Sequence, residues 1–220
     1  PTGVVTPVMA GYIDRGIALA ERSGAAAVVV AIDTPGGLDT AMRSVVQRIL
    51  AADIPIITFV APAGARAASA GAFIVMAGNL AAMAPTTTIG AAHPVGSGGE
   101  DLQGTMAAKV TNDAAAYIRS IAEQRGRNAD WAERAVRDSV SLPAAEAVQH
   151  QVVDVVAADV NGDGHTDLIA GDGGRPRVAV LLGGAKRGSF ADRVQYDTGF
   201  TVRGLALADL NGDGKLDIVT

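Results

Sequence analysis

Two patterns of hydrophobic residues alternate along the first part of the chain. Residues 25–33 (AAAVVVAID) and 54–60 (IPIITFV) are short, β-branched runs that end at turn signals, and they predict buried strands. Between them, apolar residues recur at helical spacing, with Asp39 or Thr40 as the candidate N-cap. The helical positions are Leu38, Met42, Val45, Val46, Ile49 and Leu50. Strand, helix and strand in this order predict a right-handed parallel crossover.

Helical spacing also dominates the next hundred residues. One helix is predicted to begin near Ser69 and to run through Phe73 and Met76, and a longer one covers 102–125. The apolar face of the longer helix comprises Met106, Val110, Ala114, Tyr117, Ile118 and Ile121. Shorter helices at 131–137 and 143–149 precede a strand within 152–157. The pattern therefore predicts an α/β domain over residues 1–157.

Composition narrows the function classes. The 220 residues are 49% hydrophobic, with a net charge of −5 and a pI near 5.1, which argues against a nucleic-acid partner because such a partner needs a basic surface. There is no cysteine, so disulfides, thiolate metal sites and a cysteine nucleophile are excluded. The longest mostly apolar stretch, 71–85, is shorter than the roughly 20 residues that cross a bilayer.

After residue 157 the sequence becomes rich in Asp, Asn and Gly, and it contains a repeat. ADVNGDGHTDLI (158–169) recurs as ADLNGDGKLDIV (208–219). Oxygen-bearing side chains at alternate positions suit a calcium-sized ion, with backbone carbonyls contributed at His165 and Lys215. The candidate ligands are Asp159, Asn161, Asp163, His165 and Asp167, then Asp209, Asn211, Asp213, Lys215 and Asp217. The alternative is two Asx-rich turns without a metal.

These loops are not EF-hands, because Ala170 and Thr220 stand where an EF-hand has its bidentate glutamate. Loop and following strand together resemble the FG-GAP or VCBS calcium repeats of β-propellers. The resemblance implies a partial all-β, propeller-blade-like unit at 158–220, with calcium bound to this segment alone and no cofactor for catalysis. Calcium loops of this affinity class are typical of an extracytoplasmic environment.

Ser69 stands alone among small residues in GARAASAGAF (64–73), at the predicted start of a helix. The free amides and the dipole of a helix N-terminus favour developing negative charge. DTPGG (33–37) follows the first strand, where the amides of Gly36 and Gly37 are candidates for contacting a substrate carbonyl. This layout is typical of acyl transfer. The simpler alternative is a Gly-Gly turn and a serine that caps its helix.

A serine nucleophile needs a base, and the residues leave two candidates open. Lys109 falls at the margin of the apolar face of the long helix, where partial removal from water favours loss of its proton. The competing interpretation of Lys109 is a surface ion pair with Asp113, four residues later. His93 is the other candidate base, with Asp138 as its orienting carboxylate.

Several spaced motifs stand out in the first part of the chain: GVVTPVMAGYIDRGI, AIDTPGGL, AASAGAFI, MAPTTTIGAAHPVG and LPAAEAVQHQVVDVV. Together they resemble the protease domain of NfeD-type membrane-bound serine proteases, relatives of the Clp and signal-peptide-peptidase families. The resemblance implies a Clp/crotonase-like fold over 1–157, with Ser69 as nucleophile and Lys109 as base. It implies an oxyanion hole of Gly36, Gly37 and Ala70. The related Clp pattern implies a triad of Ser69, His93 and Asp138 instead, but the whole-domain resemblance favours the Ser-Lys dyad.

We therefore expect a serine endopeptidase that cleaves hydrophobic peptide segments of membrane-associated proteins, stomatin-like by resemblance. A homo-oligomer that is membrane-associated or secreted is also implied. The family normally continues into membrane helices and a small β-barrel, whereas this chain continues into the repeats. One alternative is a calcium-dependent binding or adhesion module with an inert protease-like domain. A weaker one is a crotonase-type acyl-CoA enzyme, which also directs backbone amides at a carbonyl.

Overall fold

A seven-stranded mixed sheet forms the centre of the molecule. The computed structural model describes residues 1–96, 98–100, 102–158, 163, 165, 167–171, 175–184, 190–200, 206–208, 210 and 217–219. The strands of this sheet are β1 (Val28–Ile32), β2 (Ile56–Val60), β4 (Leu80–Met83), β7 (Val155–Ala158), β8 (Asp167–Gly171), β9 (Arg177–Leu181) and β10 (Val194–Asp197). They lie in the order β1-β2-β4-β7-β8-β9-β10.

Six helices lie within the described part of the chain. They are α1 (Pro7–Arg22), α2 (Asp39–Leu50), α3 (Ala70–Ala77), α4 (Gly104–Gln124), α5 (Ala129–Arg137) and α6 (Ala144–Gln149). A small second sheet contains β3 (Arg66–Ala68), β5 (Thr88–Gly90) and β6 (Ser141–Pro143) in that order, and β11 (Ala206–Ala208) pairs with β12 (Asp217–Val219). Among the described residues, no helix combines the length and apolar character needed to cross a membrane.

The predicted crossover is confirmed. β1 and β2 pair in parallel with Val28 opposite Ile56, and α2 connects them. The predicted N-cap of α2 is wrong by one position, because Leu38 is the N-cap and Asp39 is already helical. Helix α1 was not predicted, although its start carries a recognisable signal: Thr6 Oγ1 accepts the Met9 N–H at 3.3 Å, and Pro7 occupies the first turn.

The long helix α4 differs from its predicted amphipathic pattern. Ala114, Ile118 and Ile121 are buried as expected, but Met106 is 63% exposed. The apolar face therefore contacts the core in the C-terminal half of the helix, whereas Lys109 in the second turn is exposed, so its predicted partial removal from water is wrong. All eight residues of α3 are buried. The nucleophile candidate therefore precedes the most deeply buried of the helices.

The repeat segment continues the sheet of the α/β part. β8 pairs antiparallel with β7, with Val156 opposite Ile169, and β9 and β10 follow as antiparallel neighbours. Ile169 is fully buried and belongs to the same hydrophobic cluster as the core residues of α2 and α3. Hydrogen bonding and packing thus cross the boundary between residues 157 and 158. The division into units 1–157 and 158–220 stays a prediction.

Candidate active site

Ser69 has an unusual backbone conformation immediately before α3. Its φ of 52° and ψ of −117° lie outside the regions that ordinary residues populate, and its side chain makes no capping hydrogen bond to the helix. The conformation is held by the Ser69 N–H, which donates to Gly90 O at 3.0 Å. The predicted position at a helix start is confirmed. The capping interpretation is wrong, and a partly exposed hydroxyl on a strained strand-to-helix turn is typical of a nucleophile.

Gly36 lies directly against this serine. Its φ is +123°, and a Cβ at this position would lie 2.7 Å from Ser69 Cβ and 3.1 Å from Ser69 Oγ. The turn is fixed by buried Thr34, whose Oγ1 accepts the Gly36 N–H at 3.1 Å and lies 3.1 Å from Gly36 O, to which it donates. The Gly36 amide is therefore engaged within the turn. The residue contributes space beside the serine rather than a free donor.

The amides of Gly37 and Ala70 have no hydrogen-bond partner among the described residues. Val5 N–H donates to Gly36 O at 2.8 Å and Leu38 N–H donates to Val5 O at 3.0 Å, so the Gly37 N–H points to the opposite side of the extended segment. Ala70 is the first residue of α3 and has no intrahelical partner for its N–H. Within the described part of the chain, neither amide forms a hydrogen bond. Of the three predicted oxyanion donors, the amides of Gly37 and Ala70 are therefore free to donate to a substrate, as far as the described residues show.

A cleft of about 960 Å³ brings the predicted residues together. Its lining includes Gly36, Gly37, Ser69, Ala70, His93 and Lys109. Ser69 enters from the start of α3, the two glycines from the turn before α2, and Lys109 from the second turn of α4. Three helices therefore contribute to its lining, together with the segment 91–96. The predicted ion pair of Lys109 with Asp113 does not form in the structure, where Asp113 pairs with Arg43 from α2.

His93 also lines the cleft, but its surroundings differ from those of a triad histidine. Nδ1 lies 2.9 Å from Val136 O, and because a carbonyl only accepts, Nδ1 carries the proton. Asp138, the predicted orienting carboxylate, is exposed and pairs with Arg134 at 3.5 Å. The structure thus brings Ser69, Lys109 and His93 to one cleft and does not bring Asp138 to His93.

Residues 3–171 match the family model described as NfeD1b, N-terminal domain. The chain belongs to this family. Residues 149–220 match an FG-GAP-like repeat model, so the two matches overlap where β7 continues into β8. The overlap agrees with a sheet that is continuous across this region.

The NfeD1b domain has a curated relative in the archaeon Pyrococcus horikoshii, the membrane-bound protease PH1510. The two are 42% identical over 162 residues, which cover 72% of this chain and 36% of the relative. The chain therefore spans about a third of the length of that protein. The known proteins confirm the NfeD-type resemblance and the Clp/crotonase-like mixed α/β fold.

Solved structures similar to the NfeD1b domain include variants of a membrane-bound stomatin-specific protease called 1510-N. A variant with alanine in place of a serine has a TM-score of 0.68 and 41% identity, covering 73% of this chain and 78% of that one. A variant with alanine in place of a lysine, in complex with a substrate peptide, has a TM-score of 0.68 and 40% identity, covering 73% and 74%. A third structure, 1510-N from Pyrococcus horikoshii, has a TM-score of 0.62 and 40% identity over 73% and 72%.

The predicted calcium ligands are described in part. Asp159, Asn161, Asp209, Asn211, Asp213 and Lys215 lie outside the described residues. Asp163 Oδ1 accepts the His165 N–H at 2.8 Å, and Asp217 Oδ2 accepts the Leu210 N–H at 2.9 Å. Asp167 is fully buried at the start of β8, where Oδ1 accepts the Gly183 N–H at 2.7 Å. The described positions alone contain no group of three or more acidic or histidine side chains able to hold a metal.

Sequence reasoning missed two residues of the site. Thr34 fixes the Gly36 turn, and its signal was its place before Pro35 in DTPGG, since Ser and Thr hydroxyls commonly bond to the backbone two residues on. Arg43 lines the cleft and contacts both Asp39 and Asp113. No signal along the chain pointed to Arg43, because its partner on α4 is seventy residues away.

Proposed function

We propose that this chain is a serine endopeptidase in which Ser69 is the nucleophile and Lys109 the general base. The observation that carries the proposal is the environment of Ser69. The Ser69 hydroxyl does not cap the helix, and it stands on a strained backbone. It lines the same cleft as the Lys109 amine and two amides that have no hydrogen-bond partner among the described residues. A nucleophile, a base and an oxyanion site are the three parts that acyl transfer requires.

The proposed reaction follows from these parts. Ser69 Oγ attacks the carbonyl carbon of the scissile peptide while its proton moves to the side-chain amine of Lys109. The Gly37 and Ala70 amides donate to the developing oxyanion. Collapse of the intermediate breaks the C–N bond, and the lysine returns the proton to the leaving amine. Water then hydrolyses the acyl-serine by the reverse of the same proton transfers. No step of this scheme calls for a metal or a cofactor.

The names of the relatives support this assignment. The 1510-N protease is described as membrane-bound and stomatin-specific, and variants lacking a serine or a lysine were solved, the latter with a substrate peptide. We propose that this chain acts on a substrate of the same kind, a hydrophobic segment of a membrane-associated, stomatin-like protein. The rim of the cleft suits such a segment, because Val4, Leu38 and Val95 are each about half exposed there.

Location and assembly are part of the same proposal. We infer a membrane-associated, extracytoplasmic setting from the name of the relative and from the calcium-type repeats. A homo-oligomer is supported by an apolar stripe on α1, where Val8, Tyr12 and Leu19 are 80%, 64% and 62% exposed. Size-exclusion chromatography with light scattering measures the assembly directly.

The alternative Ser-His-Asp mechanism has weaker support. His93 lines the cleft, but its Nδ1 contacts a backbone carbonyl and Asp138 is paired elsewhere. Labelling by a fluorophosphonate probe distinguishes the two mechanisms. We expect labelling of the unmodified protein, none of Ser69→Ala, strongly reduced labelling of Lys109→Ala, and retained labelling of His93→Gln. Loss with the His93 variant but not with the Lys109 variant would contradict the dyad.

Labelling alone does not establish peptide hydrolysis, so a second measurement follows cleavage of a hydrophobic peptide by mass spectrometry. Cleavage that disappears in Ser69→Ala supports the endopeptidase. A protein that is folded, unlabelled and inactive toward such peptides would instead favour the adhesion module, with an inert protease-like domain. Acyl-CoA turnover that persists in Ser69→Ala would favour the crotonase-type reaction, which has little need of this serine.

We also propose that the repeat segment binds calcium. The support is the spacing of its carboxylates, the FG-GAP-like match, and a fully buried Asp167 beside the Asx turn at Asp163. Oxygen ligands at alternate positions of a tight loop suit Ca²⁺. Thermal melting with CaCl₂ or with EDTA tests this: calcium should raise the midpoint, and Asp163→Asn should reduce the rise. Asp197→Asn is the control, since Asp197 pairs with Arg177 outside the loops.

A further inference from the structure

The C-terminus of α3 is buried, and two arginine side chains donate to its backbone carbonyls. Arg127 Nη1 donates to Met76 O at 2.8 Å and to Gly78 O at 2.9 Å. Arg125 Nε donates to Ala77 O at 2.8 Å. The last carbonyls of a helix have no partner within it, and they carry its partial negative charge. Both cations therefore lie at the negative end of the helix that the proposed nucleophile precedes.

The two arginines differ in the net charge that they add at this end of α3. The Arg127 side chain is 2% exposed, and its Nη2 pairs with Asp154 Oδ2 at 2.5 Å, so the two charges cancel. Arg125 forms no ion pair with any residue that the structure describes. Burial and the nearby Arg127 lower the pKa of Arg125, but a guanidinium stays protonated throughout the working range. Arg125 therefore leaves a net positive charge at the C-terminus of α3.

The interior of the protein, rather than solvent, separates this charge from the other end of α3. All eight residues of the helix are buried. At about 1.5 Å per residue, the helix is about 12 Å long. Charges that are separated by buried protein are screened less than charges in water, so a cation at one end still acts at the other. At that other end, the Ala70 N–H is a proposed donor to the oxyanion.

We propose that Arg125 stabilises the oxyanion from the far end of α3, by neutralising the negative end of the helix and thereby strengthening its positive end. The inference rests on the proposed roles of Ser69 and of the Ala70 amide. A helix dipole attracts an anion at its N-terminus, and a cation at its C-terminus adds to that attraction. Because the charge develops only as the bond forms, the effect lies in the transition state rather than in binding. Arg125 does not belong to the described lining of the cleft, so it is a positioning residue.

The kinetics of labelling by a fluorophosphonate probe test the inference, with the maximal rate kinact and the binding constant KI measured separately. Arg125→Gln retains a side-chain donor for Ala77 O but removes the charge. It should lower kinact about threefold, the order that Coulomb's law gives for a partly screened charge about 12–15 Å from the oxyanion. KI should stay unchanged, because the probe is uncharged before it reacts. Arg125→Lys retains the charge and should keep most of kinact.

Asp154→Asn tests the same inference with the opposite sign. The substitution removes the negative charge that cancels Arg127 and keeps a side-chain oxygen that can accept the Ala81 N–H. It should lower thermal stability, because it weakens a largely buried ion pair. It should nevertheless raise kinact by about two- to threefold, since the net positive charge at the C-terminus of α3 increases. A purely structural role of this cluster predicts instead that stability and rate fall together.

Arg119→Gln is the matched control, because it changes the net charge of the protein by the same amount as Arg125→Gln. Arg119 lies on α4, where it pairs with Asp130 and Glu133. Its loss should leave kinact unchanged. Arg125→Met, which retains an apolar stem, replaces the glutamine variant if that variant does not fold.

The outcomes separate this inference from the proposed function beneath it. An unchanged kinact in Arg125→Gln, or an equal loss in Arg125→Gln and Arg125→Lys, would overturn the inference. A kinact that falls in Asp154→Asn would overturn it as well, because the cluster would then act through structure alone. If instead Ser69→Ala retains labelling, the proposed nucleophile itself is wrong.

Discussion

Replacing Gly36 with alanine tests how closely the PGG turn is fitted to the nucleophile. The added Cβ would stand 2.7 Å from Ser69 Cβ, a separation at which one of the two residues has to move. A positive φ of +123° costs an alanine about 1–2 kcal/mol, and overpacking a tight contact costs about 1–3 kcal/mol more. We therefore expect a loss of about 2–5 kcal/mol in the free energy of unfolding. At about 2–4 °C per kcal/mol, the midpoint should fall by about 4–20 °C.

The substitution should also slow the chemistry. Ser69 would be displaced relative to the Gly37 and Ala70 amides, and a misplacement of about 1 Å costs on the order of 100-fold in rate. The assay is the rate of fluorophosphonate acylation at a temperature where the variant remains folded by circular dichroism. Gly64→Ala is the control: Gly64 also has a positive φ, +81°, but no atom lies within 4 Å of its added Cβ. It should lose some stability and keep the normal labelling rate. Labelling of Gly36→Ala at the unmodified rate would show that the turn is not fitted to the serine.

Three further perturbations test separate parts of the structure. Thr34→Val removes the buried hydroxyl that bonds to both backbone groups of Gly36, and should cost about 1–3 kcal/mol in unfolding free energy and slow acylation. Ile169→Ala should destabilise the whole α/β core by about 2–5 kcal/mol in a melt followed by circular dichroism, because this side chain packs into that core. An unchanged main transition would mean that the repeat folds independently. The hydrogen bond from Arg48 lowers the pKa of Glu21 below its usual value of 4.5. Ionised Glu21 therefore stabilises the folded state above that pH, and this contribution is lost on acidification. In thermal melts at decreasing pH, Glu21→Gln should lose less stability than the unmodified protein when the pH falls below 4.5.

Local patterns predicted those elements whose burial is decided by neighbours in sequence. The β-branched runs within 25–33 and 54–60 form strands, and the segment after Leu38, with its helical spacing of apolar residues, forms a helix. The pattern failed at Met106, because whether a helical face is covered depends on what packs there, and α4 extends beyond the core at this end. It also gave no sign that the repeat segment would add three strands to the sheet, since strand pairing between β7 and β8 is decided by the edge that β7 leaves open.

The amino-acid sequence specifies which groups are available for chemistry: one serine among small residues, a Gly-Gly turn after a strand, a lysine on the long helix, and two carboxylate loops. Which of these groups meet, and in what state, is a property of the folded chain. Folding places Ser69 against Gly36, engages the Gly36 amide with Thr34, and leaves the Gly37 and Ala70 amides without a hydrogen-bond partner among the described residues. It also pairs Asp113 with Arg43 rather than with Lys109. The difference arises because residue type and spacing set local geometry, whereas the partner of a charge or an amide depends on segments that folding brings together.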